Sequence, residues 1–127
     1  MAQVKIYALR ETLEPREEMS NAIHNSVMTA LEYPADKKFH RYFPLEREDF
    51  AFSSDRSDKY TILEISMFEG RSVAAKKKLI ALLFENLEKI GIPRNDLEIT
   101  IFETPKHNWG IRGVPGDELA LSYRVEV

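Results

Sequence analysis

The residues of this sequence with the clearest chemical potential are two arginines and a tryptophan. Arg71 lies in the first turn of a helical pattern, and Trp109 and Arg112 lie in the glycine-rich segment 105–118. A guanidinium can bind a carboxylate through two parallel hydrogen bonds, and the N–H groups at the start of a helix add positive potential. Arg71 is therefore a candidate for binding an anionic group, and Trp109 and Arg112 are candidates for the wall of a pocket.

The segment around Trp109 is built to fold tightly. It contains the only tryptophan and three of the five glycines, at positions 110, 113 and 116. Glycine adopts backbone conformations that are closed to other residues, so the loop can hold the indole and the guanidinium in fixed directions. Such a loop suits the wall of a pocket. It equally suits a subunit interface or core plug, with Arg112 in an ion pair.

The other ionisable residues carry weaker signals. Asp117 and Glu118 are most simply a charged turn, because a catalytic carboxylate needs a partner and a pocket. His24 is expected on the flank of a helix, whereas His40 and His107 are interpreted as ordinary surface or interface histidines. The run Lys76–Lys78 is interpreted as a solvated helix face. Arg71 could itself be solvated and paired with Glu69 or Asp36.

Length and composition exclude several classes of protein. At 127 residues the chain suits one domain, and a net charge of −3 without a segregated basic face argues against a nucleic-acid partner. The absence of cysteine and the scatter of three histidines predict no metal site and no thiol nucleophile. No apolar run reaches the ~20 residues of a membrane span and no signal peptide is recognisable, so a cytoplasmic protein without a membrane partner is expected.

The first part of the chain predicts a β-α-β unit. Residues 3–9 alternate between apolar and polar types, as a strand with one buried face does. Residues 15–31 repeat apolar side chains at three- and four-residue steps, with Pro15 tolerated in the first helical turn. A second strand is expected at residues 39–46.

The second part repeats this order. The strongly β-prone segment 60–68 could form a hairpin with the preceding strand, and a helix over residues 71–91 ends at Gly91. Another strand is expected at residues 96–104, and a short closing strand at about 119–126.

A shift of 59 residues places VKIYAL on LEISMF and LEYPADKKFHRYF on IGIPRNDLEITIF, with Pro34 on Pro93. We interpret this as a pseudo-duplication within a single domain, 1–127, with repeats at about 2–46 and 60–105. Right-handed crossovers then give one mixed sheet with both helices on one face, an α+β fold. Strand 60–68 has apolar residues on both faces, so another subunit is expected to cover the second face.

Three motifs in a fixed order, DRSDKYTILEI, EGRSVAAKKKL and NWGIRGVPGDE, resemble the tautomerase superfamily. The resemblance is to its longer, fused members related to malonate semialdehyde decarboxylase and cis-3-chloroacrylic acid dehalogenase, and it spans nearly the whole chain. It implies a cofactor-independent homotrimer acting on 2-oxo acids and their enols, with Arg71 holding the substrate carboxylate. An ACT-like or ferredoxin-like regulatory domain shares the β-α-β repetition but does not explain EGRS or NWGIRGVPGDE.

The sequence departs from this family at its catalytic proline. Ala2 stands where active relatives expose an amino-terminal proline as general base or acid. Loss of Met1 before a small residue would leave a primary amine, with a reference pKa of about 7.7–8.0 but without the rigid ring of proline. Lys37 stands near the aspartate of the decarboxylase, and Val27 and Met28 stand near the histidine of the dehalogenase, so both of those reactions are disfavoured.

Three functions remain open. The first is a weak keto-enol tautomerase, an isomerase, in which Ala2 moves the proton, Arg71 binds the carboxylate, and Trp109 and Arg112 shape the pocket and stabilise the enolate oxygen. The second is a non-catalytic carboxylate-binding protein that lost its chemistry with the proline. The third is a structural trimer in which the NWGIRG loop is an interface. We favour the first and keep the second close behind it.

Overall fold

The computed structural model of the protein describes every residue from Met1 to Val127. In chain order it contains β1 (Ala2–Leu9), α1 (Arg16–Leu31), β2 (His40–Leu45), β3 (Thr61–Phe68), α2 (Val73–Glu88), β4 (Leu97–Thr104), β5 (Gly110–Ile111) and β6 (Val114–Pro115). Neither helix is both long and apolar enough to cross a membrane. The predicted α+β class and the tandem β-α-β order are confirmed.

A four-stranded mixed sheet in the order β2-β1-β3-β4 forms the framework. β1 and β2 are parallel, as are β3 and β4, whereas β1 and β3 pair antiparallel at the centre. The hairpin considered between β2 and β3 is therefore wrong. β2 contains Pro44, which has no N–H to donate, and such a strand fits the edge of a sheet better than a place between two neighbours.

The strand pairing repeats with the shift found in the sequence. Val4 pairs with His40 in the first unit and Leu63 with Ile99 in the second, so both partners move by 59 positions. β1 and β3 are each 8 residues long and have the same alternation of buried and half-buried positions. The two units are thus two copies of one local structure.

Both helices pack against one face of the sheet and enclose the main core. On α2, Leu79, Leu83 and Leu87 recur every four residues and are 0% exposed, as one face of a helix requires. α1 supplies a matching stripe that includes Ile23 and Leu31. Between the helices and the sheet, the buried residues of β1 and β3 complete this core.

The opposite face of the sheet is covered by no helix of this chain. At its centre Lys5 lies opposite Glu64, and both are half-buried. Tyr7 stacks on Phe43 with ring centroids 4.7 Å apart, and Phe102 on β4 is 49% exposed. This face therefore presents apolar and charged side chains together, where the sequence predicts a subunit contact.

The closing strand predicted at about 119–126 does not form. The alternation of that segment is real, but its apolar residues pack beside Met1 and Phe68 rather than along a sheet edge; they are Leu121, Tyr123 and Val125. The tail is held at its end because the Ser72 hydroxyl donates to the Val127 carbonyl at 2.9 Å. The last residues are thus a cover over the amino terminus.

The packing of α2 predicts the cost of shortening a core side chain. We expect Leu83→Ala to lower the free energy of unfolding by about 2–5 kcal/mol, because it removes buried methyl groups and leaves a cavity. Urea denaturation followed by circular dichroism measures this change. Val73→Ala is the control, since Val73 lies on the same helix and is 63% exposed, and we expect it to stay within about 0.5 kcal/mol. Equal losses would contradict the packing described.

Candidate active site

The amino terminus lies where the start of β1 meets the end of β3. Ala2 pairs with Met67, and the Phe68 N–H donates to the Met1 carbonyl at 3.3 Å. Ala2 is 3% exposed, and its N–H donates to the Tyr33 hydroxyl at 3.1 Å. Because Ala2 begins a central strand, its nitrogen has a fixed position.

Met1 is a packed residue. It joins a small apolar cluster around Phe68 and is 8% exposed, and its amino group contacts the Tyr123 hydroxyl. Burial, followed by the positive charges of Arg71 and Lys106, lowers the pKa of this amine from 8.0 to about 4. The amine is therefore neutral near pH 7, with a lone pair that can accept a proton.

Arg71 lies in the turn between β3 and α2 and is 4% exposed. Nη1 donates to the Phe68 carbonyl at 3.3 Å, and the ion pairs considered with Glu69 or Asp36 do not form. Nε and Nη2 are buried without any hydrogen-bond partner. Burial lowers the pKa of Arg71, and leaving such groups unpaired is costly.

The two unpaired nitrogens of Arg71 define how it can bind a ligand. Nε and Nη2 direct their N–H groups along the same edge of the guanidinium, and this edge binds a carboxylate with two parallel hydrogen bonds. The start of α2 adds positive potential beside it, where Ser72 caps the helix by accepting the Ala75 N–H at 3.1 Å. The site is suited to an anion.

Two tyrosines that the sequence analysis missed complete the surroundings of the amine. Tyr33 follows α1, and Tyr123 lies in the tail; their rings meet edge-to-face with centroids 5.0 Å apart. Burial raises the pKa of both phenols, so both stay protonated at neutral pH. No local signal identifies them, because one follows a helix end and the other sits in a segment that reads as a strand.

The glycine-rich loop forms the β5–β6 hairpin. Arg112 and Gly113 occupy its turn with φ of 52° and 86°, respectively, and Arg112 is exposed. Trp109 is half-buried and packs edge-to-face on Phe68, with ring centroids 5.2 Å apart. The sequence leaves open whether Trp109 forms a pocket wall or packs as a plug, and its contact with Phe68 is a packing contact.

A cavity of about 120 Å³ lies beside the amino terminus. Its lining includes Met1, Lys37, Arg112 and Tyr123. The volume is close to that of an apolar cavity of about 150 Å³ that holds benzene. Two cationic side chains, Lys37 and Arg112, line this cavity together with Met1, whereas Arg71 is buried outside its lining.

The structure leaves the other candidates outside this site. His40 is half-buried and hydrogen-bonded to Ser20 at 3.0 Å. His24 is 8% exposed and bonds the Ala35 carbonyl at 2.8 Å. Lys76 pairs with the Glu103 carboxylate at 2.7 Å and is only partly solvated. The remaining candidates are exposed, namely His107, Asp117 and Glu118.

The position of Gly116 predicts how the loop is fixed. A Cβ at this residue would lie 2.5 Å from the Lys106 carbonyl oxygen and 3.1 Å from the Phe68 ring. We expect Gly116→Ala to destabilise the fold by about 1–3 kcal/mol and to shift the fluorescence of Trp109, because the added methyl overpacks this contact. Gly110→Ala is the control, since nothing lies within 4 Å of its added Cβ. If Gly116→Ala changes neither the stability nor the fluorescence of Trp109, this contact is refuted.

The buried amine predicts a rise of stability with pH when Met1 is retained. Its pKa is about 4 in the fold and near 8 when unfolded, so the unfolded chain binds more protons between these values. The contribution of the neutral amine to the free energy of unfolding is fully present above pH 8 and is lost as the pH falls toward 4. His40, with its pKa lowered to about 4 from 6.5 by burial and then by His24 and Lys38, adds the same trend below pH 6.5.

Urea denaturation between pH 6.5 and 8 isolates the contribution of the amine. We expect a slope of up to about 1.4 kcal/mol per pH unit. The control is the same chain acetylated at Met1, which cannot titrate there and should be nearly flat. If both proteins have equal slopes, another group is responsible.

Comparison with known proteins identifies the family. The sequence pattern of tautomerase enzymes matches residues 37–112. The 2-hydroxymuconate tautomerase of Pseudomonas putida is 44% identical over 57 residues, and that of Comamonas testosteroni is 42% identical over 57 residues. Each alignment covers 44% of this chain and 90% of the relative. These relatives are therefore about half as long as this chain, which matches its tandem construction.

Solved structures share the fold over most of the chain. A malonate semialdehyde decarboxylase inhibited by 3-bromopropiolate superposes with a TM-score of 0.78 at 23% identity, covering 94% of this chain and 98% of that one. A member of the cis-3-chloroacrylic acid dehalogenase family gives 0.77 at 10% identity, with 89% and 82% covered. A fused 4-OT that forms an asymmetric trimer gives 0.77 at 18% identity, with 91% and 96% covered. The sequence match over residues 37–112 shows that the chain belongs to the family of tautomerase enzymes, and the shared fold agrees with this assignment.

Proposed function

We propose that this protein is a low-efficiency keto-enol tautomerase for a small 2-oxo acid or its enol. The observation that carries this proposal is the buried, unpaired Nε–Nη2 edge of Arg71 beside the amino terminus. A buried cation with two free parallel donors favours a carboxylate, and the Ala2 amine that loss of Met1 would expose at the same place is a base. Together they supply the two functions that enolisation of a 2-oxo acid needs.

In the proposed reaction Met1 is removed and Ala2 carries the amine. Arg71 binds the carboxylate through Nε and Nη2, which holds the adjacent carbon near the amine. The amine takes a proton from the carbon next to the keto group, and the electron pair of that C–H bond forms the enolate. The ammonium that has formed then gives this proton to the enolate oxygen, directly or through water, which yields the enol and restores the neutral amine. The reverse sequence returns the keto acid.

Arg112 and Trp109 have supporting roles in this proposal. Arg112 lines the cavity together with Met1, so its charge can stabilise negative charge on the enolate oxygen. Trp109 packs against Phe68 and thereby shapes the wall beside the amine. The similarity to 2-hydroxymuconate tautomerases makes 2-hydroxymuconate, an enol with two carboxylates, a reasonable probe beside a simpler enol acid.

We also propose that the protein works as a homotrimer. The sheet face around Lys5 and Glu64 is covered by no helix of the chain, and Phe102 on β4 is 49% exposed. Large side chains in such a position favour a subunit contact. A fused 4-OT with the same fold forms a trimer. Light scattering tests this directly, and a trimer has three times the 14.7 kDa mass of one chain.

The burial of Met1 favours a second candidate, a carboxylate-binding protein without turnover. When Met1 is retained it is 8% exposed and lines the cavity, so it competes with a substrate for space. Ala2 also lacks the ring that fixes a proline amine. This candidate predicts carboxylate affinity that depends on Arg71, without isomerisation.

Ultraviolet assays of phenylenolpyruvate and 2-hydroxymuconate test the proposal, with protein whose mass confirms loss of Met1. We expect turnover that Arg71→Ala lowers at least about 100-fold, because two charge-assisted hydrogen bonds are lost, and that Ala2→Pro raises. Arg94→Ala is the matched control, since Arg94 is an exposed arginine paired with Glu88. Calorimetric binding of a 2-oxo acid without turnover would support the second candidate, and neither binding nor turnover would refute both.

A further inference from the structure

The nitrogen of Ala2 has one side-chain partner, and this contact can restrain an amine that lacks the ring of proline. Its N–H donates to the Tyr33 hydroxyl at 3.1 Å within the buried interior. Resting on the function proposed above, we infer that Tyr33 is a positioning residue for the amino-terminal base. Its hydroxyl accepts one N–H of the Ala2 amine and so restricts the direction of the lone pair.

A primary amine needs such a partner because it can rotate. A neutral proline amine has one N–H, and its ring prevents rotation about the bond from nitrogen to Cα. A neutral alanine amine has two N–H groups and one lone pair, which can exchange places by rotation. One fixed acceptor holds one N–H, and the lone pair then takes one of only two directions. Orientation of the reacting group is worth a substantial part of a catalytic rate.

The nitrogen itself is held by the sheet. Ala2 is 3% exposed and paired with Met67, and the Val4 N–H donates to the Phe39 carbonyl at 2.9 Å. Removal of Met1 takes away the hydrogen bond from the Phe68 N–H to the Met1 carbonyl but not the one from the Val4 N–H. β1 therefore still places the Ala2 nitrogen within reach of Tyr33.

Tyr33 is fixed as firmly as the nitrogen. It is 5% exposed, and its N–H donates to the Met28 carbonyl at 3.3 Å after Glu32 turns the chain with φ of 52°. Its ring meets the Tyr123 ring edge-to-face. With Met1 in place the hydroxyl donates to the Met1 sulfur, 3.9 Å away, and accepts the Ala2 N–H. Removal of Met1 takes this sulfur away, while the fixed ring keeps the hydroxyl oxygen beside the Ala2 nitrogen, where it can accept one N–H of the amine.

The test is a double-mutant cycle between residues 2 and 33. In the Ala2 protein we expect Tyr33→Phe to lower kcat about tenfold while KM changes less than about twofold, because orientation and not binding is lost. In the Ala2→Pro protein, whose ring already fixes the amine, we expect Tyr33→Phe to change kcat less than about twofold. All proteins are checked by mass for removal of Met1 and by thermal unfolding for folding.

Tyr42→Phe is the matched control. It also removes a phenol hydroxyl, but one on a half-buried side chain that bonds Ser20 and the Arg16 carbonyl. It should leave kcat unchanged in both backgrounds. If Tyr33→Phe does not fold, p-aminophenylalanine at position 33 keeps the shape and polarity but is a poor acceptor. The same dependence on residue 2 is expected.

The outcomes separate the two proposals. A tenfold loss in both backgrounds would show that Tyr33 supports the fold or the substrate rather than the amine, and would overturn the inference. A gain of activity in Tyr33→Phe would mean that the phenol donates to the lone pair, which also overturns it. If the Ala2 and Ala2→Pro proteins are both inert with Tyr33 present, the proposed tautomerase function fails, and the inference fails with it.

Discussion

The antiparallel pairing of β1 with β3 is the constraint on which the candidate site depends. In an antiparallel pair the start of one strand lies beside the end of the other. The amino terminus is therefore brought to the turn that follows β3, where Arg71 lies before α2. A parallel arrangement of these strands would separate the amine and the guanidinium by the length of the sheet. The proximity of the amino terminus and the Arg71 guanidinium therefore follows from the strand pairing, and the surrounding side chains only adjust their positions.

The cover over this meeting point comes from the end of the chain. The tail and the β5–β6 hairpin have little regular structure, yet they provide Tyr123, Val125 and Trp109 around Met1 and Phe68. This cover removes water from the amine and from Arg71, which explains why both have lowered pKa values. Desolvation makes an amine a neutral base and leaves a guanidinium in need of an anion. The sheet thus sets the positions of the amine and the guanidinium, and these irregular segments lower the pKa values of both groups.

Much of the architecture could be predicted because it depends on periodic local patterns. The strands, the helices and the 59-residue repeat follow from alternation and spacing that are readable along the chain. The neighbour of β3 could not be read in this way, since short connections favour hairpins and only the whole sheet shows that β1 takes that place. The alternating pattern of the last residues predicts a strand, but its apolar side chains pack beside Met1 and Phe68 and pair with no other strand. Tyr33 is a long-range partner of Ala2, and no local pattern marks such a residue.

The duplication also has a consequence for stoichiometry. The start of β3 lies beside the end of β1, just as the start of β1 lies beside the end of β3. At this second meeting point Thr12 occupies the place of Arg71 after a shift of 59 residues, and its hydroxyl is already bonded to the Asp58 carbonyl at 2.7 Å. Tyr60 likewise takes the place of Met1, inside a continuous chain that has no amine there. The fold is duplicated but the candidate anion site is not, so the site occurs once in each chain, half of what the internal symmetry alone would allow.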